Sequence, residues 1–144
     1  MFSLNDRTSF DIETLVRRGS DAQTTREYNA DLRRLLPGPG YADTKRTLTE
    51  FGTILVTVRP NEKVDAHQHD EEECFIIVAG QGDLQIEDQT TTLHPGDVVY
   101  VPRFWMHQLR NPNEAPFTFV DLYWDDKGRS FEQYAESQRA EALV

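Results

Sequence analysis

His67 and His69 stand two residues apart in the segment 64–69. Glu73 follows four residues beyond His69, across the acidic turn formed by residues 70–72. In an extended chain, side chains two apart point the same way, so both imidazoles can aim into one interior. Glu73 begins the next β-forming run, 73–78, on what can be the same inner face. His107 lies in a later run, 106–109, bounded by Pro102 and Asn111, and a barrel can bring such a strand beside the first pair. Three neutral imidazoles and one carboxylate suit a borderline first-row ion, and four protein ligands leave one or two positions for water, substrate or dioxygen. The pattern predicts one divalent metal ion; iron, zinc, manganese and nickel all fit the ligand types.

The same alternation names the neighbours. Phe75, two beyond Glu73, and Leu109, two beyond His107, are expected to share the ligand face and line a substrate pocket. Cys74 is expected to point away from the metal, as a small apolar core residue. Tyr123 and Trp124 end the last strand-like run on opposite faces, so one can enter the cavity while the other packs elsewhere. A phenol near a metal can serve as proton donor or base, and Tyr123 is the catalytic candidate on that ground, set against ordinary packing. Tyr41 and Tyr100 are weaker candidates. His94 directly precedes Pro95-Gly96 and reads as a turn residue.

The elements that must position these side chains are short β-branched and aromatic runs divided by Gly, Pro, Asn and Asp, the pattern of an antiparallel barrel or sandwich. They span 44–51, 53–59, 64–69, 73–78, 83–87, 90–93, 98–101, 106–109 and 117–124. Turn chemistry separates them at 60–61, 80–82, 95–97 and 111–116. Residues 1–43 read as an N-terminal arm, with a short helix over 10–18 capped by Ser9, a mixed stretch over 21–41 and a Pro-Gly-Pro-Gly turn at 37–40. Residues 44–124 form the barrel domain. In 125–144, Ser130 and Gln133 make a capping box, and Phe131, Tyr134 and Ala135 form an apolar stripe, so a C-terminal helix packing on the barrel is expected.

Composition narrows the function classes. The chain has 144 residues, enough for one domain with its own core, and a formal net charge of −10. That field repels nucleic-acid backbones and anionic membrane surfaces, so neither is expected as a partner. One cysteine allows neither an internal disulfide nor a zinc-finger spacing. The first ten residues lack the apolar segment of a signal peptide, and no run approaches the roughly 20 apolar residues of a membrane span. The expectation is a soluble, cytoplasmic protein.

These motifs resemble the cupin superfamily. The family's first motif, His-x-His followed by Glu and then Gly, corresponds to His67, His69, Glu73 and Gly80. Its second, Gly then Pro, then His and Asn, corresponds to Gly96, Pro102, His107 and Asn111. Two positions depart from the pattern: Asn61 stands where the first motif opens with Gly, and Phe104 where the second has Gly two after its Pro. Asn tolerates left-handed angles, whereas Phe104 demands a different local turn. The resemblance covers roughly 44–124. It implies an all-β jelly roll, or double-stranded β-helix, with the metal in the barrel mouth, and a homodimer. It further implies a metal-dependent enzyme acting on a small polar organic molecule. A three-His, one-Glu site is shared by many cupin dioxygenases, which favours that activity. Redox-neutral lyases, isomerases and cyclases of biosynthetic intermediates are the alternative, and a non-catalytic cupin that binds or senses a small ligand is a third reading.

Overall fold

The computed structural model describes residues 18, 23–35 and 49–142. Nine strands and one helix follow in order: β1 (Thr24–Glu27), β2 (Ala30–Arg34), β3 (Phe51–Val58), β4 (Glu72–Ala79), β5 (Gly82–Ile86), β6 (Gln89–Leu93), β7 (Val98–Val101), β8 (His107–Arg110), β9 (Phe117–Trp124) and α1 (Phe131–Ala142). All strand pairs are antiparallel. They form a six-stranded sheet, β1-β2-β3-β9-β4-β7, and a three-stranded sheet, β6-β5-β8. No helix among the described residues is long and apolar enough to cross a membrane.

Alternation turns one face of each sheet inward. Ile54, Val56 and Val58 of β3, Phe117 and Phe119 of β9, and Phe75 and Ile77 of β4 meet Leu84 of β5 and Leu109 of β8 between the sheets. Phe75 and Phe119 pack with ring centroids 5.0 Å apart, and Phe117 and Phe119 at 5.5 Å, so aromatic contacts fill much of the space below the site. Asn111, 1% exposed, donates from Nδ2 to the carbonyls of Val58 and Ala115 at 3.0 and 2.8 Å. It thereby ties the loop after β8 to the end of β3.

The structure differs from the sequence reading in several places. Within the stretch read as an arm, residues 24–34 form a hairpin that extends the larger sheet through β2 and β3. Its turn places Tyr28 and Asn29 at φ 53° and 60°, the left-handed pair that a tight two-residue hairpin requires. The segment 64–69 is not a continuous strand. It keeps one isolated bridge, His67 with His107, and a second lies just before it, Lys63 with Arg110. Cys74 does face away from the histidines, but it sits half-buried on the outer sheet surface rather than in the core.

Phe104 does not adopt a different turn: at φ 67° it takes the left-handed conformation the family gives to glycine, as does Asn61 at φ 62°. The strain at Phe104, on the order of 1–3 kcal/mol, is offset locally. Its N–H donates to the His69 carbonyl at 2.8 Å, and the Arg103 guanidinium lies 4.9 Å from its ring centre.

The capping box forms as expected. Gln133 N–H donates to Ser130 Oγ at 3.2 Å, and Ser130 N–H donates to Gln133 Oε1 at 3.0 Å. The helix that follows buries no residue fully. The expected helix over 10–18 and most of the run 44–51 lie outside the described residues.

Candidate metal centre

His67, His69, Glu73 and His107 come together, with one ligand atom from each lying within 4.8 Å of all the others. Three elements deliver them. The bend after residue 63 carries His67 and His69, the second residue of β4 is Glu73, and the start of β8 carries His107. Reciprocal backbone bonds lock the histidine pair across the barrel: His67 N–H to His107 O at 3.2 Å, and His107 N–H to His67 O at 3.0 Å.

The imidazoles are oriented by the backbone. Nδ1 of His67 lies 2.7 Å from the Asp65 carbonyl, Nδ1 of His69 lies 3.2 Å from the Glu71 carbonyl, and Nδ1 of His107 lies 2.9 Å from the Trp105 carbonyl. A carbonyl only accepts, so each Nδ1 carries the proton and each Nε2 keeps its lone pair. Nε2 of His69 is in contact with Glu73 Oε1, and Nε2 of His107 lies 3.7 Å from the same oxygen. His107 is 1% exposed, and its Nε2 has no hydrogen-bond partner. A buried lone pair aimed at a carboxylate and two further lone pairs is costly unless a cation sits between them, so the donor set fits a divalent metal ion.

The electrostatics differ from residue to residue. Burial pushes the Glu73 carboxyl up, but the His107 and His69 rings outweigh it and hold the group down at about 2. Burial lowers His67 below the usual imidazole value, which favours the neutral form a ligand needs. For His69, burial acts downward, and the Glu73 carboxylate more than reverses it.

A cavity of about 340 Å³ opens onto this cluster. Phe75 and Leu109, each 2% exposed, form part of its apolar floor, and Tyr123 lines its side. Of the two terminal aromatics, Tyr123 is therefore the one facing inward. Trp124 turns the other way and donates from Nε1 to Glu72 Oε2 at 3.0 Å. Tyr123 can lie across the cavity wall because its partner in register is Gly52; a Cβ there would fall 2.0 Å from the ring. Burial, with Glu50 and Glu71 nearby, pushes the Tyr123 phenol up to about 12, so it holds its proton at neutral pH. His94 stays in its turn, with its N–H donating to Asp97 Oδ2 at 2.7 Å.

Sequence reasoning missed several residues of this wall. Asp121 faces inward between Phe119 and Tyr123. Burial and the neighbouring Glu73 carboxylate raise its carboxyl well above the usual range. The signal was available: Asp121 interrupts the inward alternation Phe117, Phe119, Asp121, Tyr123. Glu50, Arg34 and Tyr28 also line the cavity, but they come from the hairpin and the lead into β3, where alternation alone does not reveal a face.

Asp70 reads as one charge of a solvated loop, yet it is 2% exposed. Arg103 contacts it directly, with Arg129 Nη2 at 3.2 Å and Lys127 Nζ at 3.6 Å. Arg129 also bonds Asp125 at 2.6 Å and Ser137 Oγ at 2.7 Å. The loop carrying His69 and Glu73 is thus clamped to the loop before β8 and to the start of α1.

Comparison with known proteins places this geometry in a family. The Cupin domain model matches residues 54–123. A Cupin 2 conserved barrel domain protein from Salinispora arenicola superposes with a TM-score of 0.66 at 26% identity, covering 85% of this chain and 96% of that one. The chain belongs to the cupin superfamily, and the fold is a cupin barrel. It is 32% identical over 82 residues to a glucose-6-phosphate isomerase from Pyrococcus horikoshii, covering 54% of this chain and 43% of the relative. It is 30% identical over 114 residues to a mannose-1-phosphate guanylyltransferase from Sinorhizobium fredii, covering 78% of this chain and 22% of the relative. The chain thus spans less than half the length of these two curated relatives.

Proposed function

We propose that this protein is a metal-dependent enzyme acting on a small polar organic molecule by redox-neutral, acid–base chemistry of the isomerase or lyase kind. The observation that carries this reading is the set of three imidazoles, each with Nδ1 held by a backbone carbonyl, that converge with Glu73 at the head of a cavity. A bound divalent ion would act there as a Lewis acid, polarising a substrate carbonyl or hydroxyl. The protein's own groups then handle protons. Tyr123 keeps its phenolic proton at neutral pH, and Asp121, whose carboxyl is raised well above the usual range, lines the same cavity. Phe75 and Leu109 keep the floor dry and select by shape.

The similarity to glucose-6-phosphate isomerase and the supply of proton-carrying groups favour this chemistry over the dioxygenase expected from ligand type alone. The test is to purify the chain without chelator, measure its metal, and assay a panel of small hydroxy-carbonyl compounds with and without oxygen. One metal per chain, lost in His107→Ala, with turnover that persists anaerobically is the expected result. Substrate-triggered oxygen uptake would shift the assignment to oxygenation, and a folded protein that takes up none of iron, zinc, manganese or nickel would refute the metal site.

We also read the chain as a homodimer, supported by the outer face of the larger sheet. Leu55, Val120, Ile76 and Val98 lie in register across four strands there, and Val98 is 65% and Tyr100 54% exposed. An apolar surface of this kind favours a partner.

A further inference from the structure

The turn of the β1–β2 hairpin carries a residue that turn chemistry does not explain. Positive φ at both central positions favours Asn, Asp or Gly, yet the first of them is Tyr28, at φ 53°. A bulky side chain is strained at that angle, and such strain persists only where the surroundings hold it. Burial does not supply the hold, since Tyr28 is 55% exposed. What the ring does touch is the face of the His67 imidazole, on which it stacks with centroids 5.4 Å apart and planes at 28°.

His67 depends on that support more than the other candidate ligands do. His107 stands in β8 and is 1% exposed, and the loop of His69 and Glu73 is held through Asp70. His67 lies between β3 and β4, in no strand, joined to β8 by its bridge to His107. The hairpin fastens this stretch at three points. Arg26 pairs with Glu62, Asn29 Nδ2 donates to the Lys63 carbonyl at 2.7 Å, and Asp65 N–H donates to the Tyr28 carbonyl at 3.0 Å. Asp65 in turn holds Nδ1 of His67 through its own carbonyl, at 2.7 Å. Tyr28 therefore governs both the residue that orients the edge of the imidazole and the face of the imidazole itself. A ring laid on that face restricts tilt and leaves the in-plane Nε2 lone pair free for a cation.

Resting on the reading of His67, His69, Glu73 and His107 as a metal centre, we infer that Tyr28 is a positioning residue of that centre. By stacking on His67 it fixes the imidazole for metal binding, and the hairpin turn bears strain to place it there. The hairpin is then a working part of the site as well as an added edge to the sheet. Function and stability diverge at this residue, because the ring serves the metal while its backbone angle burdens the fold.

The test uses the full chain and Co²⁺ alone, with Tyr28→Asn, Tyr28→Phe and Tyr28→Gly. Asparagine accepts the left-handed angle and leaves in place the main-chain carbonyl that Asp65 binds, so it removes the ring and little else. Calorimetric titration reads Co²⁺ affinity, visible absorption of the bound Co²⁺ reads the ligand geometry, and melting of the metal-free protein reads the fold. Tyr28→Asn is expected to bind Co²⁺ about tenfold more weakly, with an altered spectrum. Its metal-free Tm should stay within about 2 °C of wild type or rise. Tyr28→Phe keeps the stack and should retain the wild-type affinity and spectrum. Tyr28→Gly should behave as Tyr28→Asn and replaces it if the asparagine variant does not fold. Undiminished affinity in Tyr28→Asn, weakened affinity in Tyr28→Phe, or a metal-free Tm that falls in step with affinity would each overturn this inference and leave the metal centre standing. A wild type that takes up no Co²⁺ would overturn both.

Discussion

Replacing Gly52 by alanine is expected to drive Tyr123 out of its place beside the metal cluster. The new Cβ would lie 2.0 Å from Tyr123 Cζ and 2.2 Å from its hydroxyl oxygen. Carbon–carbon contacts settle near 3.5–4.0 Å, so the ring must retreat by about 1.5 Å or change rotamer. Neither move is free, because Gly52 pairs with Tyr123 in register and Tyr123 pairs with Glu73 on its other side. Overpacking of this kind costs about 1–3 kcal/mol. At roughly 2–4 °C per kcal/mol for a domain of this size, Gly52→Ala should lower Tm by about 2–12 °C. The backbone term alone has the opposite sign, since alanine is favoured over glycine in a strand by about 0.5–1 kcal/mol. A double-mutant cycle in urea unfolding therefore isolates the clash. In a Tyr123→Ala background the methyl enters vacated space, and the further loss from Gly52→Ala should vanish or become a gain. Equal losses in both backgrounds would refute the reasoning, because the cost would then not come from Tyr123.

Asp70→Asn keeps the shape of a buried group while removing the charge that holds Arg103, Lys127 and Arg129. Breaking a buried ion cluster costs about 3–5 kcal/mol, and the partial exposure of these cations reduces the expectation to about 2 kcal/mol. Divalent-metal affinity should fall by about tenfold as the His69–Glu73 loop loosens, and calorimetric titration would show whether it does. Glu50 predicts a pH dependence with a definite sign. A carboxyl raised from 4.5 to about 9 in the folded state leaves its stabilising contribution intact at low pH and loses it as pH climbs between those values. Tm of the wild type should fall over that window more steeply than Tm of Glu50→Gln, and parallel curves would contradict the assignment. For the outer sheet face, analytical ultracentrifugation should find twice the chain mass in the wild type and a shift to monomer in Val98→Lys; a wild-type monomer at micromolar concentration would dismiss the dimer.

The His67, His69, Glu73 and His107 cluster and most of the strands from β3 onward, though not the run 64–69, were legible in the sequence because they rest on short-range rules. Two-residue spacing puts side chains on one face, and β-forming runs end where Gly, Pro and Asn gather. The same rules placed Phe75 and Leu109 on the ligand side and anticipated the Ser130–Gln133 cap, but left open which of Tyr123 and Trp124 enters the cavity. They did not reach the hairpin at residues 24–34, where charged residues alternate with Ala30 and Leu32 and the turn depends on left-handed angles at Tyr28 and Asn29. Nor could they show that Phe104 would keep a glycine-like φ, since that depends on a bond from its N–H to the His69 carbonyl in another loop.

What local sequence determined is which His and Glu side chains could share a metal ion and the faces they occupy, because alternation along a strand is a property of neighbouring residues. Only the tertiary structure decided that Nε2 of His69 and of His107 faces Glu73, that Asp70 is a buried clamp, and that Glu50 and Asp121 line one cavity. Those outcomes depend on carbonyls, cations and carboxylates brought close by chain closure, and electrostatic effects at such distances are invisible until distant segments share a cavity.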